Sequence, residues 1–132
     1  MRHHALVIAE DERIYHVAFD GDWTEAQSTG EYRASTRGAR LEDVGFIHGS
    51  FRNQVERIGA LLYGDVDEEL VVLVIDPARV HVPIKTEILE GGAEAFPHIY
   101  GPLPVDAVVA VLSAHANSDA TFTVEGLAPG GR

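Results

Sequence analysis

The 132-residue chain contains no cysteine. That absence excludes disulfides, thiol nucleophiles, CxxC redox chemistry and every cysteine-based zinc or iron–sulfur site, and it suits a reducing cytoplasm, the expected location. Basic residues are scarce: ten Lys and Arg face 21 Asp and Glu, for a net charge of −11. Such a surface repels phosphate backbones and anionic lipid heads, so nonspecific nucleic-acid and membrane partners are not expected. Long hydrophobic runs are missing as well. The longest, near Leu70–Ile75, falls far short of the ~20 residues that span a bilayer, and Met1-Arg2-His3-His4 leads into no signal-peptide core before Glu10-Asp11-Glu12. There is no GxGxxG, no GxxxxGK[ST], no GxSxG and no HExxH. Rossmann and Walker phosphate cradles, the hydrolase elbow and the zincin helix are thereby excluded.

What is present is ordinary for a globular fold, 45% hydrophobic and 23% charged, in a chain long enough to bury roughly two-thirds of its unfolded surface. Arg13–Phe19 reads as a β-branched and aromatic strand, closed by Asp20-Gly21. Asp22 and Glu25 have capping-box spacing for a short helix through about Ser28, with Gly30 ending it and Trp23 and Ala26 facing inward. Glu31–Ala34 is a brief strand, Ser35–Asp43 an exposed loop, and Gly45–Ser50 a second strand that runs into a helix. Ser50 is the expected N-cap of that helix, whose apolar face is Phe51, Val55, Ile58 and Leu62 and whose end is Gly64. Leu70–Ile75 suits a central strand covered on both faces, and Val105–Leu112 a second buried strand. Val80–Val82, Lys85–Leu89 and Thr121–Glu125 are shorter strand candidates, and Ala128–Arg132 a frayed tail. The expectation is one α+β domain over residues 13–113, with two main helices in its first half, an N-terminal extension over 1–12 and a partly flexible C-terminal extension over 114–132.

Seven histidines are the chemical feature that stands out, because imidazole both titrates near neutrality and binds metals. His3, His4, His81 and His115 fall in termini or beside turns and read as solvated. His16, His48 and His98 each sit inside an apolar or aromatic run: Ile14-Tyr15-His16, Phe46-Ile47-His48 and Pro97-His98-Ile99-Tyr100. Taken singly, each reads as a satisfied, half-buried side chain; taken together, they suggest one shared pocket. None shows i, i+4 pairing, so a histidine metal site ranks third among the readings and no metal ligands are assigned. Gly49-Ser50 offers a close backbone approach and a hydroxyl ahead of a helix N-terminus, enough to receive one anionic or hydroxyl-bearing group. Pro97 and Pro102 stiffen the segment around His98 and Tyr100, which lie two apart and therefore on one face of an extended chain, with Ile99 on the other.

In order and spacing, Ile14-Tyr15-His16, Trp23, Glu31-Tyr32-Arg33, Gly45-Phe46-Ile47-His48-Gly49-Ser50 and Phe96-Pro97-His98-Ile99-Tyr100-Gly101-Pro102-Leu103 resemble a family of small bacterial and plant proteins known as domain of unknown function 952. That family is in turn similar to the ADP-ribosyltransferase superfamily, including the RNA 2′-phosphotransferases. The resemblance implies a curved, split β-sheet sandwich with NAD or another nucleotide in its cleft, and transferase chemistry. It implies that His16 and His48 hold ribose or amide groups, that Ser50 orients a hydroxyl and that His98 joins them as a catalytic group. Tyr32, Arg33, Gly49, Arg52 and Tyr100 would contact the cofactor, the arginines at its pyrophosphate and Tyr100 by stacking. His16 is followed by Val17-Ala18 and not by the superfamily's Gly-Thr, and the catalytic glutamate has three candidates by order: Glu87, Glu90 and Glu94. Two readings follow, a nucleotide site with transferase chemistry and a noncatalytic module on the same fold that binds a small metabolite or a partner protein.

Overall fold

The structure is a computed structural model that describes residues 12–88 and 92–127. Four antiparallel strands form its main sheet, in the order β1 (Ile14–Phe19), β6 (Leu70–Ile75), β10 (Val108–Ala116) and β11 (Phe122–Val124). β6 lies in the middle because all six of its residues are apolar and all six are buried. Its alternate residues feed two cores. Val71, Leu73 and Ile75 pack with Ile14, Trp23, Tyr32, Ile47, Ile99 and Leu103, while Leu70, Val72 and Val74 pack with Tyr15, Val55, Tyr63 and Phe122.

A smaller antiparallel sheet has the order β5 (Ile47–His48), β8 (Ala95–Ile99), β7 (Ile84–Ile88). The two sheets meet edge to edge through one bridge, in which the Tyr15 and Ser50 amides each donate to the other residue's carbonyl at 2.8 Å. Two-stranded ribbons, β2 (Glu31–Tyr32) with β9 (Leu103–Pro104) and β3 (Ala34–Thr36) with β4 (Ala39–Arg40), complete a small α+β domain with a curled antiparallel sheet. Its helices are α1 (Asp20–Thr29), the single turn α2 (Leu41–Val44) and α3 (Val55–Tyr63). No helix among the described residues is long and apolar enough to cross a membrane.

Several elements differ from the sequence reading, each for a local reason. α1 begins at Asp20, so Asp22 lies within its first turn, where with Asp20 it complements the positive helix end without capping it. Gly30 closes it as expected, in the left-handed conformation (φ 92°) with its amide on the Ala26 carbonyl. The segment 35–43 is no simple loop. Gly38 (φ 73°) turns β3 back into β4, and Leu41 is buried at the start of α2.

Ser50 is not an N-cap, because its amide and carbonyl are both committed to Tyr15. α3 starts five residues later, after a turn in which the Phe51 amide donates to the Gln54 side chain. Val80–Val82 is not a strand but follows a 3-10 turn at Pro77–Arg79, capped by the Asp76 carboxylate accepting from the Ala78 amide at 3.0 Å. The apolar run 105–112 is not a buried strand: it opens with a 3-10 turn, Val105–Ala107, the strand continues to Ala116, and Val109, Ala110 and Val111 are exposed on it. A domain end at residue 113 therefore falls inside β10, and β11 extends the sheet beyond it. Of the expected N-terminal extension over 1–12 only Glu12 is among the described residues, and the expected frayed tail, 128–132, lies outside them.

Candidate functional site

β5 is only two residues long, yet it carries the central histidine and touches both sheets. His48 pairs with His98 across β5 and β8, and His98 pairs with Lys85 across β8 and β7. Strand alternation then sorts the side chains. Ile47 and Ile99 turn into the core and are fully buried, which leaves Phe46, His48, Phe96, His98, Tyr100 and Glu87 on the other face. The rings cluster there. Phe46 stacks on His98 with centroids 4.0 Å apart and planes at 17°, and the His48 ring lies 5.5 Å from His98 and 5.4 Å from Phe96.

Above this face, α3 and β3 form the far wall of a cleft of about 490 Å3. Phe46, His48 and Phe96 make its floor, Ile58 and Leu62 line it from the helix, and Leu61 (73% exposed) and Val44 (39% exposed) stand at its open side. Arg57 and Glu94 lie along it as an ion pair, and Glu94 also accepts from the Gln54 amide at 2.9 Å. A narrow pocket of about 10 Å3 shares Thr36, His48, Ile58 and Leu62 with the cleft and reaches His16 and Ser50. The fold thus gathers His16, His48 and Ser50 around one small cavity. His98 adjoins the His48 ring but lines neither space.

His16 is 3% exposed and both of its ring nitrogens are engaged. Nδ1 lies 2.6 Å from the His48 carbonyl, which can only accept, so Nδ1 carries the proton. Nε2 is then the acceptor for the Tyr32 hydroxyl at 2.8 Å. Burial pushes the His16 pKa down to about 4, with the His48 carbonyl opposing that shift and the His48 charge adding to it. This is a neutral imidazole that ties β1 to β5. Burial likewise lowers His48 to about 4, helped by the charge of His98, so the ring facing the cleft is neutral at pH 7.

Tyr32→Phe keeps the edge-on ring contact with His16 and removes only the hydroxyl. It leaves Nε2 as a buried acceptor without a donor, and the expected loss is about 1–3 kcal/mol of stability, read as a lower urea midpoint at unchanged slope. An unchanged midpoint would show that the His16–Tyr32 bond is absent in solution.

On the outer strand, Glu87 accepts at one carboxylate oxygen from His98 Nδ1 (2.8 Å) and from the Tyr100 hydroxyl (2.5 Å). Those two bonds, Tyr100 first, hold the Glu87 carboxyl below its ordinary range, and Glu87 raises the Tyr100 hydroxyl to about 12. The Lys85 ammonium sits over the Tyr100 ring, 4.8 Å from its centre. Of the three glutamates picked out by order, Glu87 is joined to His98, Glu94 borders the cleft, and Glu90 lies outside the described residues.

The remaining sequence candidates fall elsewhere. Tyr32 and Arg33 line a separate cavity of about 260 Å3 beside α1 and β4, where Arg33 pairs with Glu31 at 3.3 Å. Ser50 is 3% exposed, and Gly49 is buried between Ile14 and Pro97. Arg52 is half-buried, with its Nε lacking a partner among the described residues, and lines neither the cleft nor the small pocket. No group of three His, Asp or Glu side chains among the described residues is placed to hold a metal ion. The cleft's helical wall, Ile58, Leu61 and Leu62, and Arg57, the partner of Glu94, were not among the sequence candidates. Only the apolar periodicity of α3 pointed toward that wall.

Residues 18–111 match the family described as "Protein of unknown function (DUF952)", a range that takes in the whole smaller sheet, the cleft and the central strand β6. The chain belongs to this family. Its fold is similar to the crystal structure of protein CC0527 from Caulobacter crescentus, with a TM-score of 0.69 at 28% identity, covering 84% of this chain and 93% of that one. The solution NMR structure of CC0527 gives a TM-score of 0.60 at 26% identity, with 83% and 90% covered. No curated protein matches the sequence.

Proposed function

We propose that the protein is a noncatalytic binding module for a small, largely apolar metabolite held in the cleft between α3 and β5. The observation that carries this reading is the cleft itself. Its volume of about 490 Å3 lies within the range of ligand sites, its walls are aliphatic and aromatic, and its polar groups are few and placed at the floor and one edge. A neutral His48 can both donate to and accept from a bound molecule without a desolvated charge to compensate.

The transferase reading implied by the resemblance to ADP-ribosyltransferases asks more of the site. It places NAD on His16 and Ser50, both nearly fully buried, and His16 has no ring nitrogen left to offer. A pyrophosphate also needs unpaired cationic groups. Arg57, the cation described along the cleft, is held by Glu94.

Methyl NMR and thermal shifts test the proposal together. Small aromatic and aliphatic compounds are expected to move the Ile58 and Leu62 methyl signals, and one present at 100 times its Kd should stabilise by ~2.7 kcal/mol. Leu62→Trp, which fills the cleft, should abolish both effects, while NAD and ADP-ribose give neither. Stabilisation by NAD or ADP-ribose with the cleft methyls unmoved would overturn the proposal in favour of the transferase reading, and so would a compound series that never reaches those methyls.

A further inference from the structure

His98 is fully buried, and its Nε2 has no hydrogen-bond partner among the described residues. That nitrogen has a definite chemistry. Nδ1 lies 2.8 Å from a carboxylate oxygen of Glu87, an acceptor, so in the neutral ring the proton resides on Nδ1 and Nε2 presents a lone pair. A carboxylate behind an imidazole fixes its tautomer, as it does for histidines that bind metals. Here the far nitrogen is left desolvated and unpaired, a state that a folded protein normally avoids.

Two rings of the cleft floor lie against His98. Phe46 is stacked on His98 and His48 lies beside it, and both line the cleft. Neither ring is tied by a side-chain hydrogen bond to another described residue, so a rotation about χ1 or χ2 of either moves it without breaking one. The opposite end of the dyad is anchored, because Glu87 also holds the Tyr100 hydroxyl.

We propose that His98 Nε2 receives the polar head of the cleft ligand, and that the cleft takes an apolar molecule ending in a hydrogen-bond donor of the phenol or alcohol class. This rests on the cleft reading above and adds the substrate class to it. Glu87 is then a positioning residue, acting on the ligand through the His98 tautomer. The apolar body occupies the space against Ile58 and Leu62, and the hydroxyl passes Phe46 or His48 to reach the buried acceptor.

The test compares 4-propylphenol with 4-propylanisole, nearly the same shape without the donor, by ring-nitrogen and methyl NMR of the 15N,13C-labelled protein at pH 8. Both probes are expected to move the Ile58 methyl signal. Only the phenol should shift the His98 Nε2 resonance toward its hydrogen-bonded position, and it should bind about tenfold more tightly than the ether, the equivalent of ~1.4 kcal/mol. Glu87→Gln, on the edge strand, should bring the two affinities within about twofold while leaving the Ile58 shift in place. A phenol that moves Ile58 but leaves His98 Nε2 unmoved, or that perturbs the His48 ring alone, overturns the inference and leaves the cleft standing. Equal affinities for the two probes in the unsubstituted protein do the same. If neither probe moves Ile58 at millimolar concentration, the cleft reading itself falls.

Discussion

Acidification from pH 7 to pH 4.5 is expected to cost the protein several kcal/mol of stability, most of it above the pH at which carboxylates titrate. His16 and His48 both have folded-state pKa values lowered to about 4, chiefly by burial, against 6.5 in the unfolded chain. A depressed folded pKa means that the unfolded state binds the proton more readily. The contribution is therefore complete above pH 6.5 and is lost as the pH falls toward 4. Each histidine accounts for roughly 3 kcal/mol over that window if the two titrate independently, at ~1.36 kcal/mol per pH unit of separation. Two such terms rival the 5–15 kcal/mol typical of a whole domain.

The paired carboxylates Glu87, Glu94, Asp65 and Asp119 are also lowered, but their contributions begin to fade only as the pH falls into the ordinary carboxylate range, below most of the histidine window. Urea midpoints measured at pH 7.5, 6.5, 5.5 and 4.5 separate the two causes. The expected free energy falls from about pH 6.5, with unfolding near pH 5 taking up close to two protons. His48→Gln should halve that slope. A midpoint that stays level down to pH 4.5 would mean that the two rings are hydrated in solution.

The same pair of histidines shows how far the sequence could be read. An imidazole within Ile14-Tyr15-His16 announces a polar group in an apolar strand, and alternation places it on the face of β1 that carries Ile14 and Ala18. That its partners are a hydroxyl 16 residues away and a carbonyl 32 residues away is a property of strand crossing that no local pattern encodes. β6 was legible for the opposite reason. Six consecutive apolar residues have one stable arrangement, a strand covered on both sides, and they take it.

Register decided what stayed hidden. Lys85, Glu87 and Leu89 alternate visibly along the chain, but the bond from His98 to Glu87 depends on β7 and β8 pairing with Lys85 opposite His98 and Phe96 opposite Glu87. A slip of one residue would turn Glu87 to the other face. Ser50 failed as a helix cap on similar grounds, since its backbone was claimed by Tyr15, a residue that local spacing does not bring near. The α3 face was legible from its spacing, yet the cleft it covers was not, because a cleft is the gap left between elements whose separation is set by the whole core.

Gly49→Ala is expected to destabilise the protein by far more than an added methyl group ordinarily does. Gly49 lies where the chain passes from β5 in the smaller sheet to the bridge with the main sheet: its amide donates to the Pro97 carbonyl at 2.9 Å, and the next residue bridges to Tyr15. A Cβ at this position would sit 2.8 Å from the Pro97 carbonyl oxygen and 2.7 Å from a methyl of Ile14. Neither neighbour can retreat easily. The carbonyl belongs to β8 and is fixed by its strand, and Ile14 is fully buried in the core. Overpacking against such atoms typically costs 1–3 kcal/mol and here should reach about 3 kcal/mol, because β5 must move away from β8 and weaken the amide bond that joins them. The displacement also carries His48 with it, one residue before the glycine. Loss of stability should therefore be accompanied by a changed His48 ring resonance and by faster hydrogen exchange at the Gly49 and Ser50 amides, with exchange in β6 slowed or hastened only as far as global stability dictates. Wild-type stability together with an unshifted His48 would mean that β5 has slack between the sheets, and the floor of the cleft would then be an adjustable surface.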